Sequence, residues 1–167
     1  MVFYSELRGV ALDAYNRMVK VLLEKAQKEL RLDADGLVVR PLRPEDIGSS
    51  KTYFSVSTTA DTWTNVVSTY KVADNRFVGI NGFYNGEGVG EITQVKIVRA
   101  SSEARYWNVI PIRNFENKTG YADDPVTIGQ NTTITISVNC STASTITDFD
   151  FIGAVVEKKG LLINPLL

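Results

Sequence analysis

The pattern of hydrophobic and polar positions changes its period once along the chain, near Gly36. Residues 5–31 carry apolar side chains at the spacing of an α-helix, whereas the residues after Gly36 alternate in short stretches that are typical of strands. No second helical pattern follows. The sequence therefore predicts two parts: a helix in residues 1–35 that serves packing or oligomerisation, and a β-sandwich domain in residues 36–167.

The ends of the predicted helix carry recognisable signals. Ser5 is the expected N-cap, and the Glu6 carboxylate in the first turn complements the exposed backbone N–H groups. The segment from Asp33 to Gly36 is the expected stop, with Gly36 adopting a positive φ.

The apolar surface of this helix is wider than one core requires. It spans about 200°, against about 100° for a helix that lies on a single core. Six of its residues are candidates for a subunit interface: Val10, Met18, Val19, Val21, Leu22 and Leu23. Two explanations stay open, a helix seated deeply in its own domain and a helix held between its domain and a second subunit. Val19 with Leu23, and Val10 with Val21, lie on opposite flanks, so we expect one pair to face the β domain and the other a partner.

The rest of the chain predicts about nine strands with turn residues between them, the rhythm of a mainly β, antiparallel, jelly-roll-like sandwich. The clearest alternation is Thr133–Val138, in which the apolar residues face inward. Large residues such as Phe54, Trp107, Phe149 and Phe151 would overfill a small barrel, which favours two packed sheets. The predicted strands are Leu37–Leu42, Tyr53–Ser57, Trp63–Val72, Arg76–Tyr84, Ile92–Val98, Arg105–Ile112, Thr133–Val138, Ile146–Val156 and Leu161–Ile163.

Composition argues against catalysis and against nucleic-acid binding. The chain has no histidine, which removes the commonest proton-transfer group and nearly every usual zinc site. Cys140 is the only cysteine, and its expected role is that of a small buried strand residue. A net charge of -1 and an amino terminus without a basic arm predict no direct contact with nucleic acid. We expect no enzymatic activity and no cofactor.

The remaining motifs have ordinary structural explanations. The glycine-rich residues 79–90 lack the helix and the Gly-Lys-Ser/Thr of a phosphate loop, so we interpret them as a hairpin tip. The pairs Asp123–Asp124 and Asp148 with Asp150 could bind calcium or act on a glycosidic bond only at a suitable separation. We favour solvated strand faces, with no metal site.

Two further patterns concern the surface. The sequons at Asn117, Asn131 and Asn139 are candidate glycosylation sites if the chain meets the glycosylation machinery. Exposed aromatic rings could form a carbohydrate platform, although most are expected to serve packing. The aromatic candidates are Trp63, Tyr70, Tyr84, Tyr106, Trp107 and Tyr121.

No segment of the sequence has the length and apolarity of a membrane span, so a soluble chain is expected. The apolar terminal segments, Met1–Tyr4 and Leu161–Leu167, are suited to docking on a neighbouring copy.

In layout, the chain resembles virion structural proteins, namely the single jelly-roll capsid proteins and head-decoration proteins of phages and archaeal viruses. The likeness covers the N-terminal helix, the Thr/Asn-rich strands, the lack of histidine, and the closing stretch from Phe149 to Leu161. It implies a virion localisation, self-association into a homo-oligomer or shell, and contacts with other virion proteins. The missing basic arm favours a decoration or outer-shell role. The alternatives are a carbohydrate- or receptor-binding module of a fibre or adhesin, and, ranked last, a hydrolase that uses paired carboxylates.

Overall fold

The computed structural model describes residues 1–86 and 91–162, which form one α-helix, eleven strands and three short 3₁₀ segments. The helix is α1 (Val10–Leu30). The strands are β1 (Phe3–Tyr4), β2 (Leu37–Pro41), β3 (Val56–Ser57), β4 (Trp63–Lys71), β5 (Arg76–Asn85), β6 (Ile92–Arg99), β7 (Arg105–Asn108), β8 (Thr119–Ile128), β9 (Thr133–Cys140), β10 (Thr145–Ile146) and β11 (Phe149–Lys158).

The strands form two main antiparallel sheets and one short pair. The five-stranded sheet has the order β1-β8-β5-β11-β2, and the four-stranded sheet has the order β4-β9-β6-β7. The two-residue strands β3 and β10 pair with each other. The predicted mainly β sandwich with one N-terminal helix is confirmed.

The strand order is that of a jelly roll. If the eight strands longer than two residues are numbered one to eight along the chain, one sheet reads 1-8-3-6 and the other 2-7-4-5. Strands adjacent in sequence thus alternate between the sheets, except for β6 and β7, which pair with each other in the four-stranded sheet.

Most of the core lies between the two sheets. The alternation in β9 places Ile134, Ile136 and Val138 inside, as predicted. A cluster of phenylalanine rings fills the space between the sheets, with Phe54 5.4 Å from Phe151 and Phe83 5.1 Å from Phe151, both edge to face.

A second core joins α1 to the outer face of the five-stranded sheet. The buried helix residues recur every three or four positions: Ala11, Ala14, Met18, Leu22 and Ala26. Of these, Met18, Leu22 and Ala26 pack on Phe77 of β5 and on Ala154 and Val156 of β11. The helix therefore covers the side of this sheet that faces away from the sandwich interior.

The helix begins later than predicted. Phe3 and Tyr4 pair with β8, so the chain must leave the sheet and turn before α1 can start. The N-cap is Gly9, whose φ of 57° and ψ of -126° suit glycine, and the expected N-cap at Ser5 was wrong. At the other end Arg31, not Gly36, takes the left-handed conformation that closes the helix.

β8 was missed in the prediction because its sequence has the composition of a loop. Opposite the single residue Asn81 of β5, β8 contains residues 122–125, which bulge out of the ladder. The bulge accommodates Asp123, Asp124 and Pro125, none of which suits a regular ladder.

Several predicted strands have different ends in the structure. Tyr53–Ser57 is a strand only at its last two residues, and Arg105–Ile112 gives way after Asn108 to a 3₁₀ segment at Ile110–Asn114. Ile146–Val156 is divided, because β10 pairs with β3 while β11 belongs to the five-stranded sheet. Leu161 and Leu162 form a bend, and Ile163 lies outside the described residues.

The predicted hairpin tip near residue 86 was also wrong. Its flanking strands, β5 and β6, belong to different sheets and do not pair with each other. Residues 87–90 of that segment lie outside the described residues.

Candidate functional site

The six interface candidates on α1 fall into three groups. Met18 and Leu22 are 2% and 1% exposed, and the protein's own sheet covers them, so they are not free for contact with another subunit. Val19 and Leu23 are half-buried and pack against the same core. Val10 and Val21 are 52% and 48% exposed. Val19 and Leu23 thus face the domain, whereas Val10 and Val21 face outward.

A groove runs beside this outward flank, between α1 and β8. Its volume is about 310 Å³. From the helix it is lined by Ala14, Arg17, Met18 and Val21, and from β8 by Asp123, Asp124, Pro125 and Thr127. We call Val10, Val21 and this groove the helix-flank surface. It combines exposed aliphatic groups with one cation and two carboxylates.

The charges of the helix-flank surface are only partly used within the chain. The Asp123 carboxylate accepts a hydrogen bond from the Val2 amide at 3.0 Å, and Asp124 pairs with Arg105. Arg17 is exposed and has no ion pair within the part of the chain that the structure describes. Within the described residues, the Arg17 cation thus shares the groove with Asp123 and Asp124 but forms no ion pair with either.

Arginine side chains protect the adjacent sheet edge. β1 pairs with β8 only at Tyr121 and Ala122, which leaves the later residues of β8 at the edge. There the Arg99 guanidinium donates to the Thr127 carbonyl, and Arg105 donates to the Asp124 carboxylate. Because charged side chains occupy the edge, the backbone is poorly placed to add a strand from another chain. Contact at this surface would have to use side chains.

The two acidic pairs take part in separate local contacts. Within residues 1–86 and 91–162, no three His, Cys, Asp or Glu side chains lie close enough to hold a metal ion. Partial burial and the charge of Asp148 raise the pKa of the Tyr84 hydroxyl, which hydrogen-bonds to Asp148. Burial also raises the pKa of Asp150, against a hydrogen bond from the Phe151 amide at 2.8 Å. Each carboxylate thus has a local structural role.

A buried ionic cluster joins β2, β5, β11 and the 3₁₀ segment at Pro44–Ile47, and no sequence motif indicates it. The Arg40 guanidinium donates two hydrogen bonds to the Asp46 carboxylate, both 2.7 Å, and a 2.9 Å bond to Glu157. Arg76 donates to Glu157 at 2.9 Å. Burial disfavours the Arg40 charge, but hydrogen bonds and attraction from Asp46 and Glu157 outweigh it and raise the pKa of Arg40. Two cations and two anions balance each other, so the cluster ties strands together and offers no reactive group.

A cleft of about 270 Å³ lies on the outer face of the five-stranded sheet, near the start of α1. It is lined by Leu7, Tyr15, Val39, Arg40, Pro41, Asn81, Tyr121, Ile152 and Gly153. Asn81 has no register partner on β8 or β11, because both ladders shift at this point. Asn81 is 1% exposed, and its Oδ1 atom has no hydrogen-bond partner among the residues that the structure describes. The bulge thus places an amide oxygen without a partner in this part of the structure at the cleft.

The six aromatic residues considered for a carbohydrate platform lie in different parts of the structure. Trp107 belongs to the core between the sheets, and Tyr70 packs against that core. Tyr84 bonds to Asp148, and Tyr121 lines the cleft described above. Trp63 and Tyr106 alone meet on a solvent-facing surface, the outer face of the four-stranded sheet, with ring centroids 5.8 Å apart.

The three sequons have different surroundings. Asn117 is exposed in the turn before β8, where its Oδ1 accepts from the Thr119 amide. Asn131 is exposed, has a φ of 57°, and hydrogen-bonds to Asp74. Asn139 is half-buried within β9. Glycosylation at these positions stays a prediction.

No protein-family model matches the chain, and no similar sequence is found among curated proteins. The described part of the chain contains no helix long and apolar enough to cross a membrane.

Proposed function

We propose that this protein is a non-enzymatic structural subunit of a virion or virus-like assembly, a capsid or decoration protein that acts through repeated contacts between copies. One observation carries the proposal: a jelly-roll domain has an N-terminal helix whose outward flank is apolar. Jelly rolls occur in viral capsid proteins, and also in lectins. A fold alone does not determine function. The choice between a capsid protein and a lectin therefore rests on the helix-flank surface.

The helix-flank surface has the composition of a contact between protein subunits. Val10 and Val21 lie on the same side of α1, eleven residues apart, which is about 16 Å along the axis. Exposed aliphatic groups aligned over this length are suited to burial against a second copy. Arg17, exposed between them in sequence, can pair with Asp123 or Asp124 of that copy, so apolar burial and charge pairing would act together.

The occupant that we propose for this surface is a second copy of the chain. The surface contains both partners of the charge pair, Arg17 on the helix and the carboxylates on β8, so it is complementary to itself. A surface of this kind forms a two-fold contact, and a related contact repeated around an axis closes a ring or a shell. A virion subunit needs such repetition and needs no catalytic group.

Measurement of the mass in solution tests the proposal. Light scattering coupled to size exclusion should give a discrete multiple of the 18.5 kDa chain mass, and negative-stain microscopy should show rings or shells. A monomer at every accessible concentration, with no particles in the microscope, would contradict the proposal.

A further inference from the structure

The outer face of the four-stranded sheet presents aromatic and amide side chains together. The strand registers place Trp63, Asn139, Gln94 and Asn108 in one row across the four strands. The next row on the same face contains Asn65, Ser137, Lys96 and Tyr106. These residues alternate with buried ones such as Val95, Trp107 and Val138, so they point away from the core. We call these two rows the aromatic–amide face.

Two rings lie across the middle of this face. Trp63 and Tyr106 belong to strands at opposite edges of the sheet, three strand spacings or about 14 Å apart. Their ring centroids are nevertheless 5.8 Å apart at 62°, so both side chains reach inward over the central strands. Ser137 faces this side but is only 1% exposed, because neighbouring side chains cover it. The rings form a continuous ridge, and Tyr106 is 58% exposed.

The groups beside the ridge are polar and uncharged with one exception. Asn65, Gln94 and Asn108 are exposed and Asn139 is half-buried. Each amide has both a hydrogen-bond donor and an acceptor. The exception is Lys96, whose ammonium lies 4.9 Å from the centre of the Trp63 ring. Neither row contains a carboxylate.

This combination matches the chemistry of a sugar ring. A pyranose has C–H groups on its faces, which pack on aromatic rings, and hydroxyls around its rim that both donate and accept hydrogen bonds. One lysine on the face is too little positive charge for a nucleic acid. The Oδ1 atoms of Asn65 and Asn108 accept hydrogen bonds from Ser137 and Ile110, but an apolar partner protein would leave the N–H groups of the four amides without acceptors when they were buried.

We propose that the aromatic–amide face binds a neutral carbohydrate, with a sugar ring stacked on the ridge of Trp63 and Tyr106 and its hydroxyls bonded to the flanking amides. The proposal does not depend on the assembly function, since the helix-flank surface lies on the five-stranded sheet and this face belongs to the other sheet.

The test uses defined sugars and the full chain. Lactose, maltotriose, mannotriose and N-acetylchitotriose are titrated while backbone amide shifts are recorded by NMR, with sialyllactose as the acidic counterpart. We expect saturable binding of at least one neutral sugar, with shifts concentrated at Gln94, Tyr106, Asn108 and Asn139. Tryptophan fluorescence should respond through Trp63, because Trp107 is buried.

Substitutions then locate the site. Trp63→Ala and Tyr106→Ala should each weaken binding by about tenfold or more. Tyr53→Ala is the matched control, because Tyr53 is an exposed tyrosine outside the aromatic–amide face, and it should leave affinity unchanged. Unchanged thermal melting shows that the variants are folded.

Three results would overturn the proposal. The first is no saturable binding of any neutral sugar. The second is binding that neither ridge substitution weakens. The third is binding of sialyllactose alone, which would mean that the face binds an acidic sugar through Lys96 and not a neutral one. If Trp63→Ala abolishes self-association of a protein that binds no sugar, the face is a protein contact.

Discussion

The Met18 side chain lies directly over Gly79, in the space that a side chain at position 79 would fill. A Cβ atom on Gly79 would be 2.5 Å from the Met18 Sδ atom and 2.8 Å from its Cγ atom. Because Met18 is at the centre of the buried face of α1, this contact sets how closely the helix approaches the sheet. The absence of a side chain at Gly79 thus lets Met18, and with it the helix, lie close against β5.

Gly79→Ala should therefore loosen the helix from the sheet. We expect the free energy of unfolding to fall by about 1–3 kcal/mol, the usual effect of overpacking. Chemical denaturation measures it. Gly36→Ala is the control, because a Cβ there meets ordinary contacts of 3.4 Å or more, and a change below about 0.5 kcal/mol is expected. Equal effects at both positions would show that Met18 does not pack on Gly79.

Ile136→Ala tests the core between the sheets. Ile136 is fully buried at the centre of β9, so removing its side chain should lower the free energy of unfolding by about 2–5 kcal/mol. Thr133→Ala, on the exposed start of the same strand, should change it by less than about 0.5 kcal/mol. An effect at Ile136 as small as that at Thr133 would contradict the placement of this strand.

Glu157→Gln tests the ionic cluster. The substitution leaves Arg40 and Arg76 partly without counter-charge in a buried setting, so a loss of about 3–5 kcal/mol is expected in denaturant unfolding. The matched control is Glu24→Gln, whose exposed pair with Lys20 at 4.0 Å should contribute less than about 1 kcal/mol. Similar small losses at both positions would mean that the cluster does not stabilise the fold.

Asp150→Asn tests the burial of that carboxylate through pH. Because the pKa of Asp150 is raised in the folded protein, ionisation lowers stability progressively as the pH rises from the unfolded-state pKa to the folded-state pKa, and the loss is complete above the folded-state pKa. We expect the variant to be more stable than the wild type at neutral pH. The difference in free energy of unfolding should shrink as the pH falls through the pKa of Asp150, because protonation makes the wild-type side chain neutral too. If the stability advantage of the variant grew as the pH fell, the raised pKa of Asp150 would be contradicted.

Regular alternation made much of the fold predictable. β9 and the helix have clean periods of two and 3.6, and both are present in the structure. The sequence of β8 has no regular period, because its bulge takes Asp123, Asp124 and Pro125 out of the ladder. The strand therefore cannot be recognised from alternation. A local pattern cannot reveal a bulge that the strands on either side create.

The surfaces were predictable only in part. The helix pattern separated Val10 and Val21 from Val19 and Leu23, but only the packing on β5 and β11 determined which pair faces outward. The meeting of Trp63 and Tyr106 depends on the order of four strands that are distant in sequence. The two side-chain partners of Arg40, Asp46 and Glu157, likewise come from segments that are far apart in sequence.

The central claim is that the outward flank of α1 holds copies of the chain together. Val10→Glu with Val21→Glu changes only exposed positions, whereas Val19→Glu with Leu23→Glu places charge in the helix–sheet core. The second pair should lower the melting temperature, since an unpaired buried charge costs several kcal/mol.

The most direct measurement is the solution mass of the Val10→Glu, Val21→Glu protein by light scattering, with its melting temperature recorded on the same sample. The account predicts a folded 18.5 kDa monomer with the parent's melting temperature, beside a parent that is a discrete oligomer. An unchanged oligomer in the variant, or a parent that is itself a monomer, would contradict the account.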